Sequence, residues 1–466
     1  MNPYQTIFED QQKHFLKEIK NSTAKERIAK LKKLRSWIFS HRQEIRNAVY
    51  KDFKKPAVGV DLSEIKVVLN EIDVATGNLK KWMKPKKVPT PITFLGTKSW
   101  IEYEAKGVAL ILAPWNFPFQ LTIGPLVSAI AAGNCAVVKP SEMSEHTSDL
   151  MKSMISDLFD ESEVTVVLGD YKVSESLLKL PFDHIFFTGS PQVGKIVMNA
   201  AAKNLTSVTL ELGGQNPVVV DETARIKDAA KRLIYGKFMN NGQSCVSVNT
   251  VYVHKSKQDE LVTELKSELS KAFPGDAFKN EDYARTINEK HFQRVKNLSV
   301  DAVEKGAEII TGSTFDEEDC YIAPTILNNV PREANICNEE IFGPVMPIQS
   351  YENIEDVVSE INNKEKPLAL YVFSQTKKNI NYILKNTSSG TTAINETTWQ
   401  FGQKHLPFGG VNSSGMGKSH GHHGFMAFTN ERSMLKQKNG FTIAQLVHPP
   451  YTKSVKWIVD LIVKYL

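Results

Sequence analysis

Apolar positions change their period along the chain. Over residues 4–82 they recur at spacings of three and four, as in Ile28, Leu31, Leu34 and Ile38, among many charged residues. That period predicts amphipathic helices lying on a core. The lysine-rich residues 80–87 read as a solvated helix end and loop, and Pro85, Pro89 and Pro91 close the helical part. Residues 93–94 and 98–105 then carry a β signal, with Gly96 as a turn, so a hairpin is predicted near 90–105.

From Gly107 the texture becomes short continuous apolar runs, the mark of strands buried on both faces. Strands are predicted at 108–113, 136–139, 164–168 and 184–187, with helices at 121–132 and from 141 to 159. The alternation implies a parallel, doubly wound sheet. A similar rhythm follows. Strands are expected at 207–212, 218–220, 250–254, 309–311, 345–349 and 369–373, and helices at 226–238, 257–272 and 289–305. The fold class is therefore α/β, with two doubly wound, Rossmann-like units and a boundary near residue 211, beside Gly213 and Gly214.

The length of 466 residues suits two or three domains, and 41% hydrophobic with 23% charged residues is ordinary for a globular protein. A net charge of +5 is too small at this length to argue for nucleic acid. Cys135, Cys245, Cys320 and Cys337 are widely spaced, with no CxxC, which argues against a zinc ribbon or a disulfide scaffold and fits a reducing cytosol. The first fifteen residues lack the apolar core of a secretory leader, and no run of about 18 apolar residues predicts a spanning helix.

Candidate chemistry gathers at predicted strand ends. Cys245 sits after the small and polar Asn240, Asn241, Gly242, Gln243 and Ser244, a context that suits an accessible thiol. A thiolate is a strong nucleophile when a base stands near; a packed structural cysteine is the competing reading. Glu211, between a strand and a glycine pair, could be that base or a surface glutamate. Asn116 lies in PWNFP, where two prolines stiffen the loop and its amide could hold an oxyanion, or simply serve a turn.

In residues 186–195 a strand runs into Gly189, and Ser190 can cap a helix carrying Gly194. Such a turn offers backbone N–H groups to a pyrophosphate, although it is no GxGxxG fingerprint and also reads as a plain turn. Lys139 and Glu142 of KPSE could bond sugar hydroxyls, the carboxylate favouring a free ribose 2′-OH; a helix start capped by Ser141 fits equally. Glu340 and Phe342 could hold a ribose and a flat ring, or mark a helix end.

Together the motifs are more specific. PWNFP, Gly133–Asn134, KPSE, FTGS, ELGG, GQSC, EEIFGP and PFGGVNSSGMG, in that order from 107 to about 430, resemble the aldehyde dehydrogenase superfamily. The length and the tail HPPYTKSVKW resemble its class-3-like branch, whose members form dimers and oxidise medium- or long-chain aliphatic and aromatic aldehydes. The resemblance implies an NAD-binding domain over 1–211 with the protruding hairpin, and a catalytic domain over 212–400. Residues 401–466 would return to the first domain with an oligomerisation strand and a C-terminal amphipathic helix. It implies that Cys245 forms a thiohemiacetal and then a thioester, that Asn116 and the Cys245 N–H hold the oxyanion, and that Glu211 activates water. Lys139, Glu142, Gly189, Ser190, Gly194, Glu340 and Phe342 would bind NAD, with NADP as an alternative. A cytoplasmic homodimer is expected, without metal or nucleic acid.

Two departures stand out. Gln215 replaces the lysine usual after ELGG, and Ser419 replaces a common tyrosine in SHGHH, whose histidines read as structural. A CoA-acylating dehydrogenase and a non-catalytic protein reusing the fold are the alternatives; Glu211 and the intact Cys245, Glu211 and Asn116 set argue against them. In the tail, residues 454–466 form an apolar helix with a narrow polar stripe of Lys456, Asp460 and Lys464. At about 1.5 Å per residue it is too short to span a bilayer. It could pack on a subunit, cap a substrate channel or lie on a membrane surface.

Overall fold

A computed structural model describes residues 2–440 and 442–465. Five apolar runs of the first half lie side by side as parallel strands. Their order is Ser207–Leu212, His184–Gly189, Val108–Leu112, Cys135–Lys139 and Val164–Val166. Gly415–Met416 adds a short antiparallel strand outside Ser207–Leu212. Successive residues of a strand face opposite ways. Ala109 and Ile111 therefore join the core under the N-terminal helices, while Val108, Leu110 and Leu112 join a second core with Phe8, Phe15 and Val197. Both faces are covered, which is why these runs show no polar alternation.

The helix Gln120–Ala132 is buried along its whole length, between the sheet and the N-terminal helices. It ends at Gly133, at φ 85°, where a Cβ would lie 2.3 Å from the Arg27 guanidinium. Glycine is required there on both counts. Arg27 also donates to Ala131 O at 3.1 Å, so the packed guanidinium ties the N-terminal helices to this helix end.

The second sheet has seven strands. Their order is Glu308–Thr311, Thr325–Asn328, Val345–Tyr351, Val251–His254, Val218–Val220, Ala369–Phe373 and Thr391–Ile394. All pairs are parallel except the first. The α/β class with two parallel, Rossmann-like sheets is thus as expected. Thr325–Asn328 and Thr391–Ile394 are not among the expected strands. The helix Lys377–Asn386 is also not among the expected elements, although Ile380, Ile383 and Leu384 recur at helical spacing.

The third sheet corrects the predicted hairpin. Ile92–Phe94 is a single 3-10 turn, not a strand. The strand Thr97–Ala105 pairs on one side with Lys86–Lys87, inside the stretch expected as loop, and on the other with all of Thr429–Gln437. Pro89 and Pro91 lack the N–H that a hairpin arm at 93–94 would need around it, and Gly96 at φ 97° only leads into the long strand. A second correction concerns KPSE. The helix there begins at Glu145 after Ser144, and Ser141 Oγ instead accepts the Met143 N–H at 3.2 Å within the preceding turn.

The C-terminal helix spans Lys453–Tyr465; Leu466, the end of the predicted helix, lies outside the described residues. It packs against the turn Ile443–Val447 and leaves Trp457, Val463 and Tyr465 exposed. Among the described residues no helix is long and apolar enough to cross a membrane.

The all-round burial of Gln120–Ala132 predicts that Ile123→Ala costs about 2–5 kcal/mol in urea unfolding. A loss below about 1 kcal/mol would contradict the packing described.

Candidate active site

Parallel strands bring their carboxyl ends to one edge, and loops leaving that edge can share a site. Leu112 pairs with Lys139 and with Phe187, and Thr188 pairs with Glu211. The register therefore places PWNFP, Lys139, the Gly189 turn and Glu211 along one crevice of the first sheet. Cys245 comes from the second sheet, in the segment between the helix Ile226–Phe238 and the strand Val251–His254.

That segment is held in an unusual shape. Asn240, Asn241 and Gly242 are all left-handed, at φ 54°, 57° and 69°. Asparagine tolerates this region better than most residues. Gly242 has no substitute, since a Cβ would lie 2.3 Å from Gly343 O. The polar neighbours of Cys245 are buried and bonded rather than solvated, which corrects the expectation of an open, polar loop. Cys245 alone of residues 240–250 keeps partial exposure. Asn240 Nδ2 donates to Asn116 O at 2.9 Å, and Asn116 Nδ2 donates to Gln243 O at 3.1 Å. Gln243 Nε2 donates to Arg285 O at 3.0 Å, while Gln243 Oε1 accepts the Ile287 N–H at 3.0 Å. Asn216 Nδ2 donates to Cys245 O at 2.8 Å. PWNFP and the cysteine loop are thus one hydrogen-bonded unit.

Electrostatics around the thiol run against ionisation. Burial and the Glu211 and Glu340 carboxylates push the Cys245 pKa well above its ordinary value, while its own N–H and that of Val246 favour the thiolate. Burial also pushes Glu211 up to about 7; Ser419 Oγ donates to its Oε1 and Lys418 adds positive charge, both favouring the carboxylate. Glu71 opposes them. A small cavity of about 20 Å³ lies behind Glu211, lined by Glu71, Gln120, Ser419 and His420 among others. His420 stacks on Phe408, and His422 packs on Phe425 and Trp82, so these rings sit in aromatic clusters.

Glu340 is lodged against the Gly213–Gly214 turn. A Cβ on Gly213 would lie 2.3 Å from Glu340 Oε2. Burial raises Glu340 to about 7, opposed by the Gly214 N–H and by Arg294 and Lys237. Its Oε1 is buried with no partner, an acceptor free for a sugar hydroxyl. Phe342, at φ 46°, sets its ring edge-on to Trp115 of PWNFP, centroids 5.4 Å apart. Lys139 Nζ is paired with Glu142 at 2.7 Å. Ser190 caps the helix Pro191–Ala202 by accepting the Val193 N–H. Gly194 serves packing, since a Cβ would meet Leu212 at 2.8 Å. A helix N-terminus for phosphate, a free buried acceptor and a flat aromatic fit a nicotinamide dinucleotide.

Lys237, Arg294, Asn240, Gln243 and Glu71 were not singled out from the sequence. Lys237 falls on the apolar stripe of Ala230, Leu233 and Ile234, and Glu71 lies beside Val68, Ile72 and Ala75. A charge on a buried stripe was the available signal. Asn240 and Gln243 carried none, because their bonds join loops distant in sequence.

The family model for the aldehyde dehydrogenase family matches residues 5–434. The 4,4'-diaponeurosporen-aldehyde dehydrogenase of Staphylococcus aureus is 41% identical over 433 residues, 93% of each chain. Aldehyde dehydrogenase family 3 member A2 of Rattus norvegicus is 39% identical, over 92% of this chain and 88% of its own. A substrate-bound structure of Staphylococcus aureus AldH superposes with a TM-score of 0.95 at 39% identity, over 99% of this chain and 100% of that one.

The left-handed loop predicts that Gly242→Ala costs at least about 1–3 kcal/mol from backbone strain alone. Calorimetry should show a lowered midpoint, whereas Gly402→Ala, whose Cβ meets nothing, should leave it unchanged. Equal midpoints for the two variants would contradict the loop conformation.

Proposed function

The chain belongs to the aldehyde dehydrogenase family, and on that premise we propose which residues carry its chemistry. It is an NAD(P)-dependent enzyme that oxidises an aldehyde to the carboxylic acid. The assignment of roles rests on one observation: a part-exposed thiol, on a loop interlocked with Asn116, lies within reach of the charge of two buried carboxylates that burial pushes up to about 7.

Cys245 Sγ adds to the aldehyde carbon, and its proton leaves to Glu211 directly or through water. The alkoxide so formed is held by Asn116 Nδ2, which has a second hydrogen beyond the one given to Gln243 O, and by the Cys245 N–H. Such preorganised donors contribute roughly 3–4 kcal/mol each. Bound NAD(P), held by Glu340, Phe342 and the Gly189–Ser190 turn, would supply the hydride acceptor for the aldehyde carbon. Cys245 then carries the acyl group as a thioester. Glu211, its first proton passed on to solvent, accepts a proton from the attacking water; the tetrahedral adduct collapses to the acid and the Cys245 thiolate, which takes that proton back from Glu211.

We assign dinucleotide binding to residues 1–211 and the thiol to 212–400. Glu340 and Phe342 hold the nicotinamide riboside, the Gly189–Ser190 turn the pyrophosphate, and Lys139 with Glu142 the adenosine ribose. The Glu142 carboxylate favours the free 2′-OH of NAD. The substrate class is medium- or long-chain aliphatic or aromatic aldehydes, in line with the relative named for a diaponeurosporen aldehyde. The enzyme is a cytoplasmic homodimer, in keeping with four free cysteines and with the unpaired outer edge of Thr429–Gln437. Its C-terminal helix offers an apolar face to a partner subunit, to the substrate channel or to a membrane surface.

A panel of short, long and aromatic aldehydes with each cofactor, read by nicotinamide absorbance, tests the substrate class; a preference for short polar aldehydes would overturn it. Cys245→Ala should abolish turnover, and retained NAD-dependent turnover would refute the covalent route. Release of free acid rather than acyl-CoA is expected when CoA is supplied. Deleting residues 454–466 should raise KM more for long-chain than for short-chain aldehydes; equal effects would remove the helix from the channel.

The pH dependence has a definite sign. Glu211 must be ionised to take a proton, so kcat should fall below an apparent pKa near 7. Ser419→Ala removes a hydrogen bond to the ionised form and should move this acid limb to higher pH. Movement to lower pH would contradict the role given to Glu211.

A further inference from the structure

A fully buried ion pair lies outside the chemistry described so far. Lys55 Nζ donates to Glu64 Oε1 at 2.7 Å, with both side chains almost wholly inaccessible. Neither residue is in any recognised motif. A buried pair of this kind is rarely retained for stability, because apolar residues of similar volume usually serve as well. Its other contacts point to a different use.

Glu64 Oε2 accepts the N–H of Gln120 at 2.9 Å. Gln120 is the first residue of the helix that follows PWNFP, so its N–H has no partner within the helix. The carboxylate thus meets a positive helix end. Lys55 Nζ lies 4.0 Å from the ring centroid of Phe117, the residue after Asn116. Phe117 O and Pro118 O in turn accept from Leu121 N–H and Thr122 Oγ1, at 2.9 and 2.6 Å. One ion pair therefore grips both ends of the short segment between Asn116 and the helix.

The same N-terminal segment reaches the other arm of the site. Phe53 O accepts the Arg285 N–H at 2.9 Å, and Arg285 O accepts Gln243 Nε2 at 3.0 Å. Gln243 O is the group that Asn116 Nδ2 holds. Residues 53–64 thus touch PWNFP directly, and the cysteine loop through Arg285. Asn116 stands between two anchors that lead back to one stretch of chain.

We propose that Lys55 and Glu64 are positioning residues that hold Asn116 in register with Cys245, so that the amide meets the oxyanion as it forms. The inference rests on the role given to Asn116 above. They touch neither substrate nor cofactor and act only through the Phe117–Gln120 segment. A displacement of about 1 Å at a reacting centre can cost about 100-fold in rate, so a loosened loop would register in kcat.

The test compares K55M/E64M in two backgrounds, wild type and N116A. Replacing both charges together leaves no unpaired buried ion, and the fold should persist. In the wild-type background kcat should fall at least about tenfold, with KM for NAD close to wild type and a thermal midpoint lowered only modestly, by the Gln120 N–H left without Glu64. In the N116A background the pair should have no further effect on kcat, because the group they position is gone. A purely structural role would not produce that non-additivity. Wild-type kcat in K55M/E64M, or a fall that multiplies with that of N116A, overturns the proposal. Should K55M/E64M not fold, F117L keeps both charges and carries the same two-background comparison, with the same pattern expected at smaller size. If N116A alone keeps wild-type kcat, the oxyanion assignment fails and the inference falls with it. If N116A is slow and K55M/E64M is not, only the positioning role is lost.

Discussion

The structure depends on the interlock between PWNFP and the loop before Cys245. The two loops leave different sheets, and nothing in either sheet fixes their distance. Four groups do: Asn240 Nδ2 on Asn116 O, Asn116 Nδ2 on Gln243 O, and Gln243 on both Arg285 and Ile287. All are buried, so each bond lost would leave a polar group without water. The left-handed run of Asn240, Asn241 and Gly242 makes the geometry reachable, and its strain is held by those bonds. Rigidity at this point suits the donor role proposed for the Asn116 amide.

The charge balance of the site follows from its burial. Burial and the Glu211 and Glu340 charges hold the Cys245 thiol against ionisation. The same burial raises Glu211 and Glu340 to about 7, where a carboxyl group can exchange protons near neutrality. Glu211 is turned toward Ser419, so its proton affinity is set by one hydroxyl and by Lys418 and Glu71 at some remove.

Much of this was legible in the sequence. Continuous apolar runs such as 108–112 and 135–139 can be read as doubly covered strands because burial on both faces removes the polar alternation. The motif order points to Cys245, Glu211, Asn116 and Glu340, which the fold gathers around one crevice. The partner of Thr97–Ala105 was not legible, because a strand at 429–437 is distant in sequence and mostly polar. Nor was the polar network under the thiol: Asn240 and Gln243 look solvent-facing, and only the meeting of two sheets buries them. Glu64 and Lys237 could have been noticed as charges on apolar helical stripes, whereas Lys55 lies in the short loop after the helix that ends at Phe53 and carries no such signal.

In the proposed mechanism Cys245 carries the acyl group and Glu211 brings water to it. The most direct measurement mixes Glu211→Gln enzyme with NAD and a long-chain aldehyde, follows reduced nicotinamide by stopped flow and weighs the quenched protein by mass spectrometry. The account predicts one equivalent of reduced nicotinamide per site, little turnover afterwards, and an acyl mass on the peptide containing Cys245. Steady turnover with no burst and an unmodified Cys245 would contradict it.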